Sequence, residues 1–417
     1  MNNVLINKDL GTLTAKERAY GIEKWLLLRM LGRMGRPPIK FVLWNGEEIS
    51  SGHDRPVARI IIHNRQTLLR LLANPNLHFG DAYAEGKIEI DGNLVEFLEA
   101  VYRAIYQASQ DDSITGRVSR IINRPRVNSL SGSRENIHHH YDIGNPFYRL
   151  WLDENMQYTC AYFASADMTL EEAQVAKMEH VSRKLQLKPG ETVVEAGCGW
   201  GGLSLHMAKH YGVKVKAYNI SHQQVLFAKE RAEALGLSER VEYIEDDYRN
   251  ISERFDAFVS VGMLEHVGTN NYRELGRVIK CCLKQNGRGL IHSIGRNKAE
   301  PMDPWIEKRI FPGAYPPTLR EMMEIFEPWG FSVTDVENLR LHYAKTLKHW
   351  LERFEEASCQ IDKQFDQQFT RAWRLYLAGS LAGFTAGTLQ LFQVLFAHPE
   401  KSDLHWTRSH LYSKTSF

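Results

Sequence analysis

The sequence predicts an α/β protein: a doubly wound, mostly parallel sheet makes up the larger part, and a smaller α+β domain precedes it. Three observations lead there. From residue 137 onward, short β-branched runs alternate with amphipathic helical stretches, which is the pattern of strand–helix–strand units. The strand candidate 192–196 runs directly into a loop in which Gly197, Gly199 and Gly201 stand at alternate positions. Glycines so spaced let the backbone turn tightly between strand and helix and let a ligand lie against the main chain. Finally, 417 residues with 43% hydrophobic and 24% charged content are enough for two or three ordinary cores.

The elements follow in order. Residues 16–31 form an amphipathic helix, with Trp25, Leu27, Leu28 and Leu31 apolar and Lys16, Arg18, Lys24 and Arg29 basic. Residues 41–44 and 57–63 read as strands and 66–72 as a helix. Glycine turns surround a short strand within 79–93, and 94–106 is helical, so 1–106 is one domain. Residues 107–135 are rich in Ser, Arg, Asn and Gly and read as a linker. Its Arg117, Arg120, Arg124, Arg126 and Arg134 suit either a solvated hinge or a strip leaning on anionic lipid headgroups.

Residues 136–417 form the second domain. Thr169 and Glu172 make a capping box that opens a helix, and Pro189-Gly190 follows its end. Strands are expected at 192–196, 213–218, 241–245, 255–261 and 289–294, with Ser221 and Gln224 capping the helix after the second. The Pro- and aromatic-rich insertion 296–329 reads as a lid, and 331–342 and 388–397 complete seven strands. The uncharged stretch 375–392, with Gly379, Gly383 and Gly387, imitates a membrane span. It reads instead as a buried helix running into a strand, because Arg374, Gln390 and Gln393 bracket it and glycine weakens a lone helix.

Composition narrows the function. A net charge of +2 is too balanced for a dedicated nucleic-acid binder. The five cysteines show no C-x-x-C spacing, which argues against a disulfide framework or zinc site and for a reducing cytosol. No basic-then-apolar signal region opens the chain. His138, His139 and His140 do not suggest a metal site, since consecutive residues of an extended segment point in alternating directions. Glu195 precedes the glycines and no Lys-Ser/Thr follows them, so the loop is not a phosphate-cradling P-loop. It reads as a nucleotide-type cofactor site or, more plainly, as a βα connection.

Six segments together decide between those readings. They are HHHYDIGNPFYRLWLDENMQYTCAYF (138–163), VVEAGCGWGGL (193–203), VSVGMLEHVG (259–268), GLIHSIG (289–295), DPWIEKRIFPG (303–313) and LHYAKTLKHWLERF (341–354). In this order they resemble the cyclopropane-fatty-acyl-phospholipid synthase family, over roughly residues 136–397. The resemblance implies a Rossmann-like class I S-adenosylmethionine (SAM) methyltransferase fold with a seven-stranded mixed sheet. It implies SAM contacts at Tyr158, Thr159, Glu195, Gly197, Gly199, Gly201, Asn219, Ile220 and Gln224, with Asp247 and Tyr248 near the adenine. Generic nucleotide folds carry an acid where Asn219 stands. It also implies a bound bicarbonate ion as catalytic base, held by Cys160 and Ile294 through backbone groups and by the side chains of Glu265, His292 and Tyr343. Taken singly these residues have plainer readings: Glu265 as a helix cap, His292 as a core histidine, Tyr343 as a core aromatic, Cys160 as a small buried apolar residue rather than a nucleophile.

The implied reaction transfers a methylene from SAM to a cis double bond of an unsaturated phospholipid acyl chain. The alternatives are a methyl- or methylene-branched product from the same alkene, a small-amine N-methyltransferase, and a lipid-binding protein without catalysis. The implied partners are acyl chains and a membrane surface, the implied setting is peripheral on the cytoplasmic face, and a homodimer is compatible.

Overall fold

A computed structural model describes residues 15–53, 55–111 and 143–412. The linker arginines, the His138–His140 triplet and the first 14 residues lie outside the described residues. The chain forms two compact units. One holds the described part of 1–122 together with Asp362–Ala386; the other holds the described part of 123–361 and of 387–417.

The first unit carries a four-stranded sheet of β1 (Ile39–Val42), β2 (Glu48–Ser50), β3 (Ala58–Ile62) and β4 (Ile88–Asp91), in the order β2-β1-β3-β4. The β1–β3 pair is parallel and the other two pairs are antiparallel. Alternation sets the faces: Ala58, Ile60 and Ile62 are buried, and the residues between them are half-buried. Helices Arg65–Ala73, Pro75–Ala84 and Leu94–Asp111 complete it, the first capped by Asn64, which accepts from Thr67 N at 2.9 Å.

The helix Gln367–Ala386 also belongs to this unit, although the sequence reading placed all of 136–417 in one domain. Arg371 donates to Tyr83 O at 2.6 Å and to Ile88 O at 3.0 Å. A Cβ on Gly379 would stand 3.4 Å from the Tyr102 hydroxyl, so the small residues serve close packing on helix Leu94–Asp111. The helix ends at Ala386, Gly387 turns at φ +83°, and a strand starts at Gln390, as the helix-then-strand reading expected. Among the described residues no helix is long and apolar enough to cross a membrane.

The second unit is built on a seven-stranded sheet. Its strands are β5 (Thr192–Ala196), β6 (Lys214–Asn219), β7 (Val241–Glu245), β8 (Phe255–Val261), β9 (Leu283–Gly295), β10 (Ser332–Asn338) and β11 (Gln390–Ala397). The order is β10-β11-β9-β8-β5-β6-β7, with β11 antiparallel to both neighbours and the β9-to-β7 run parallel. One apolar cluster, with Phe258, Tyr272, Ile279 and Phe396, and another, with Met178, Val215, Val225 and Leu290, form the buried layers of this unit. This is the class I methyltransferase sheet that the resemblance implied. The Thr169–Glu172 capping box is present and opens helix Leu170–Lys184. Ser221 sits at the N-cap of helix His222–Ala234 but makes no side-chain cap bond, and the reciprocal half of the box is lost to Asn219, which accepts from Ser221 N at 3.3 Å and donates to Gln224 Oε1. The C-terminal tail folds back, and Arg183 Nη1 donates to Leu411 O at 3.1 Å.

Candidate active site

The carboxyl ends of β5, β6, β8 and β9 lie side by side in a doubly wound sheet, where ligands bind. The glycine loop leaves β5 and is pinned on β6 by Gly197 N and Cys198 N, which both donate to Tyr218 O, at 2.9 and 3.2 Å. Gly197, Gly199 and Gly201 all have positive φ, +80°, +54° and +80°. They differ in what a side chain would meet. At Gly197 a Cβ would stand 2.9 Å from the Met263 Cβ, and at Gly201 it would collide with the ring of Tyr243, whose hydroxyl donates to Gly201 O at 2.9 Å. At Gly199 it would meet no protein atom within 4 Å. Gly199 is therefore where a ligand can lie on bare backbone; Gly201 is a packing requirement.

Glu195 is buried under the loop and accepts from Ser204 Oγ. Burial pushes its carboxyl up to about 7. Asn219 donates to Gly199 O at 3.2 Å and to Gln224 Oε1 at 2.8 Å, tying the loop to the helix that follows β6, with Ile220 half-buried beside it. Asp247 caps the short turn Tyr248–Asn250 by accepting from Arg249 N at 2.9 Å, and the Arg249 guanidinium lies 5.2 Å from the Tyr248 ring centre.

The segment before helix Leu170–Lys184 brings in Tyr158, Thr159 and Cys160. The Tyr158 ring sits 5.2–5.4 Å from those of Tyr148, Trp151 and Trp350. Thr159 reaches the end of β8, since a Cβ on Gly262 would be 2.9 Å from its methyl. Gln174 donates to Thr159 O at 2.9 Å, and Lys177 donates to Thr159 Oγ1 at 3.1 Å and to Gln157 Oε1. Sequence reasoning missed Lys177 and Gln174. Their signal was periodic: Gln174, Lys177, His180 and Lys184 form a polar line along the buried side of one helix. Burial lowers the Lys177 ammonium to about 8, against the pull of Asp153 and Glu195.

The remaining residues meet across β8 and β9. Gly262 N donates to His292 O at 2.9 Å, and Tyr315 N, from the insertion, donates to Glu265 O at 2.8 Å. Glu265 Oε1 accepts from Ile294 N at 2.6 Å, so that N–H, expected to face an anion, serves the carboxylate instead. Glu265 Oε2 is buried without a hydrogen-bond partner, and burial raises the carboxyl to about 7. His292 Nδ1 lies 2.9 Å from Gln393 Nε2, while its Nε2 is buried without a partner. Burial, with Lys177 and Lys184 nearby, drives the imidazole down to about 3 and keeps it neutral. The Cys160 thiol is pushed up by burial, unlike a nucleophile. Ala161 N donates to Thr346 Oγ1 at 3.0 Å, one turn along the helix Arg340–Glu356 from Tyr343, whose ring stands edge-on to Trp350 at 5.9 Å. A carboxylate oxygen and an imidazole nitrogen, both buried and open, suit a small polar group that donates and accepts.

Residues 128–394 match the family described as mycolic acid cyclopropane synthetase, and residues 26–113 match a domain of unknown function. A probable fatty acid methyltransferase from Pseudomonas putida is 35% identical over 390 residues, 90% of this chain and 96% of that protein. A cyclopropane-fatty-acyl-phospholipid synthase from Escherichia coli K12 is 38% identical over 354 residues, 84% of this chain and 91% of that protein. Among solved structures, cyclopropane synthase MmaA2 from Mycobacterium tuberculosis aligns with a TM-score of 0.61 at 29% identity, covering 63% of this chain and 98% of its own. Mycolic acid cyclopropane synthase CmaA1, complexed with SAH and CTAB, aligns at 0.59 and 30% identity over 63% of this chain and 98% of its own.

Proposed function

This chain belongs to the mycolic acid cyclopropane synthetase family of SAM-dependent methyltransferases, and on that premise we propose that it converts a cis double bond of a phospholipid acyl chain into a cyclopropane. The observation that carries the reading is that Glu265 Oε2 and His292 Nε2 are each buried without a hydrogen-bond partner, at the strand ends next to a glycine loop with bare backbone at Gly199.

SAM carries a sulfonium, so its methyl is an electrophile, whereas an alkene is a weak nucleophile. The two react only when held in line and dry. Glu195, Gly199, Asn219 and Gln224 bind SAM along the loop, while Thr159, fixed by Lys177 and Gln174, closes the site from the other side. The half-buried ring of Tyr158, backed by the buried rings of Tyr148, Trp151 and Trp350, can soften positive charge at the site. Methyl transfer leaves a carbocation on the acyl chain, and ring closure requires a proton to leave the new methyl. A bicarbonate ion, when bound, supplies the base. His292 Nε2 and Glu265 Oε2, each buried without a partner, would hold such an ion, the imidazole N–H by donating to it and the carboxylate by accepting a hydrogen bond from its O–H, with Cys160 and Tyr343 proposed as further contacts.

A branched product is the second reading, since the Pseudomonas putida relative is described as a probable fatty acid methyltransferase with no ring named. The first unit offers a docking element on helix Ala15–Arg33: Ile22, Trp25 and Leu28 are 55, 50 and 43% exposed, and the Arg29 guanidinium lies 5.2 Å from the Trp25 ring centre. That pattern suits peripheral attachment to the cytoplasmic face of a membrane. The test of the base is carbonate-depleted buffer: turnover falls and returns on adding bicarbonate. Glu265→Gln loses that response with SAM affinity unchanged and turnover about 10²–10⁴-fold lower. Loss of SAM affinity alone, or full turnover without carbonate, contradicts the assignment.

A further inference from the structure

We propose that Gln393 is a positioning residue that holds His292 in the tautomer carrying its proton on Nε2, so that the imidazole can only donate to the group bound there. This deepens the proposed base site and rests on it.

Gln393 lies on β11 directly opposite His292 of β9 in the antiparallel register, and both side chains are at most 1% exposed. The Gln393 amide nitrogen stands 2.9 Å from His292 Nδ1. A primary amide nitrogen only donates, so the Nδ1 facing it must be the lone-pair nitrogen and the proton must sit on Nε2. The reverse arrangement, with the amide oxygen accepting from Nδ1–H, would aim an Nε2 lone pair at an oxyanion and repel it. Neutrality of the ring matters too, since an imidazolium would need no tautomer choice. Full burial, with the ammonium groups of Lys177 and Lys184 nearby, holds it neutral, only partly offset by Glu337. Nothing in the sequence marks Gln393 as part of the site, because it is 101 residues from His292 and meets it only through strand pairing.

The test uses the full chain with ¹⁵N-labelled histidine, with His292 assigned by difference against His292→Gln. Heteronuclear spectra report which ring nitrogen carries the proton, independently of turnover. The wild type is expected to show a protonated Nε2 and a lone-pair Nδ1. Gln393→Glu, near-isosteric and accepting only once its carboxyl is ionised, is expected to move the proton to Nδ1 at a pH where that carboxyl is charged. In the same variant the bicarbonate concentration for half-maximal turnover rises about 10- to 100-fold, the worth of one hydrogen bond to an ion, while the SAM KM holds. Gln393→Met, which neither donates nor accepts, gives a mixture of tautomers and an intermediate bicarbonate response. A wild-type His292 protonated on Nδ1, or a tautomer unchanged in Gln393→Glu at a pH where the introduced carboxyl is ionised, overturns the proposal. Wild-type turnover indifferent to bicarbonate overturns the base reading instead, and the tautomer spectra still decide what Gln393 does.

Discussion

Gly199 and Gly201 share a left-handed backbone, but a side chain at each would meet something different. Gly201→Ala drives a methyl into the Tyr243 ring and is expected to lower stability by about 1–3 kcal/mol, read as a fall in Tm. Gly199→Val faces open space and is expected to stay folded while losing SAM binding by calorimetry. Unchanged SAM affinity in a folded Gly199→Val protein would remove the loop from the cofactor site. Glu195 and Glu265 make a second prediction. Both carboxyls are raised by burial to about 7 from 4.5, so the folded protein holds their protons more tightly than the unfolded chain. Their contribution to stability is present below about pH 4.5 and is lost as pH rises through about 7, at up to about 1.4 kcal/mol per pH unit for each group. Urea unfolding of the ligand-free protein should show that decline, flattened in Glu265→Gln, whereas turnover should rise over the same range as Glu265 ionises. The residues proposed to carry the chemistry, Cys160, Glu265, His292, Ile294 and Tyr343, could be singled out in the sequence because each stands in a contiguous motif. Lys177, Gln174 and Gln393 were not, because ordinary polar residues become site residues only when folding buries them beside the motifs.

Helix Arg340–Glu356 holds the segment that carries Thr159 and Cys160. Its Thr346 accepts the Ala161 N–H, and its His342 accepts the Phe163 N–H at 3.0 Å. Thr346→Val keeps the shape, removes the acceptor and leaves a buried N–H unpaired. The expected cost is about 1–3 kcal/mol in Tm or denaturant midpoint, together with a raised SAM KM; no change in either would deny the helix its positioning role. At this scale the seven strands were readable from β-branched runs, and helix starts from their caps. Ser221 shows the limit: its sequence matches a capping box, yet Gln224 is claimed by Asn219, a competition that only the fold reveals. The helix Gln367–Ala386 shows another. Its glycines signalled close packing, but which unit it packs into depends on contacts nearly 300 residues apart in sequence, such as Arg371 with Tyr83.

For the whole molecule, the proposal of an enzyme that meets its substrate at a lipid surface rests on the exposed apolar residues of helix Ala15–Arg33 in the first unit. The sheet and its family were evident from the sequence alone. The extent of the first unit was not, because the chain re-enters it late. The reaction proposed is ring formation on an intact acyl chain, with Glu265 and His292 directing proton loss. The most direct test incubates the purified full chain with SAM and vesicles of a cis-unsaturated phospholipid, then analyses the acyl chains by mass spectrometry and proton NMR. The account predicts a gain of one CH₂, loss of the olefinic signals and appearance of cyclopropane ring protons, with none of these on saturated vesicles. A product with the same added mass that keeps an alkene or carries a methyl branch would contradict ring closure, and SAM turnover with no change in the lipid would contradict the substrate.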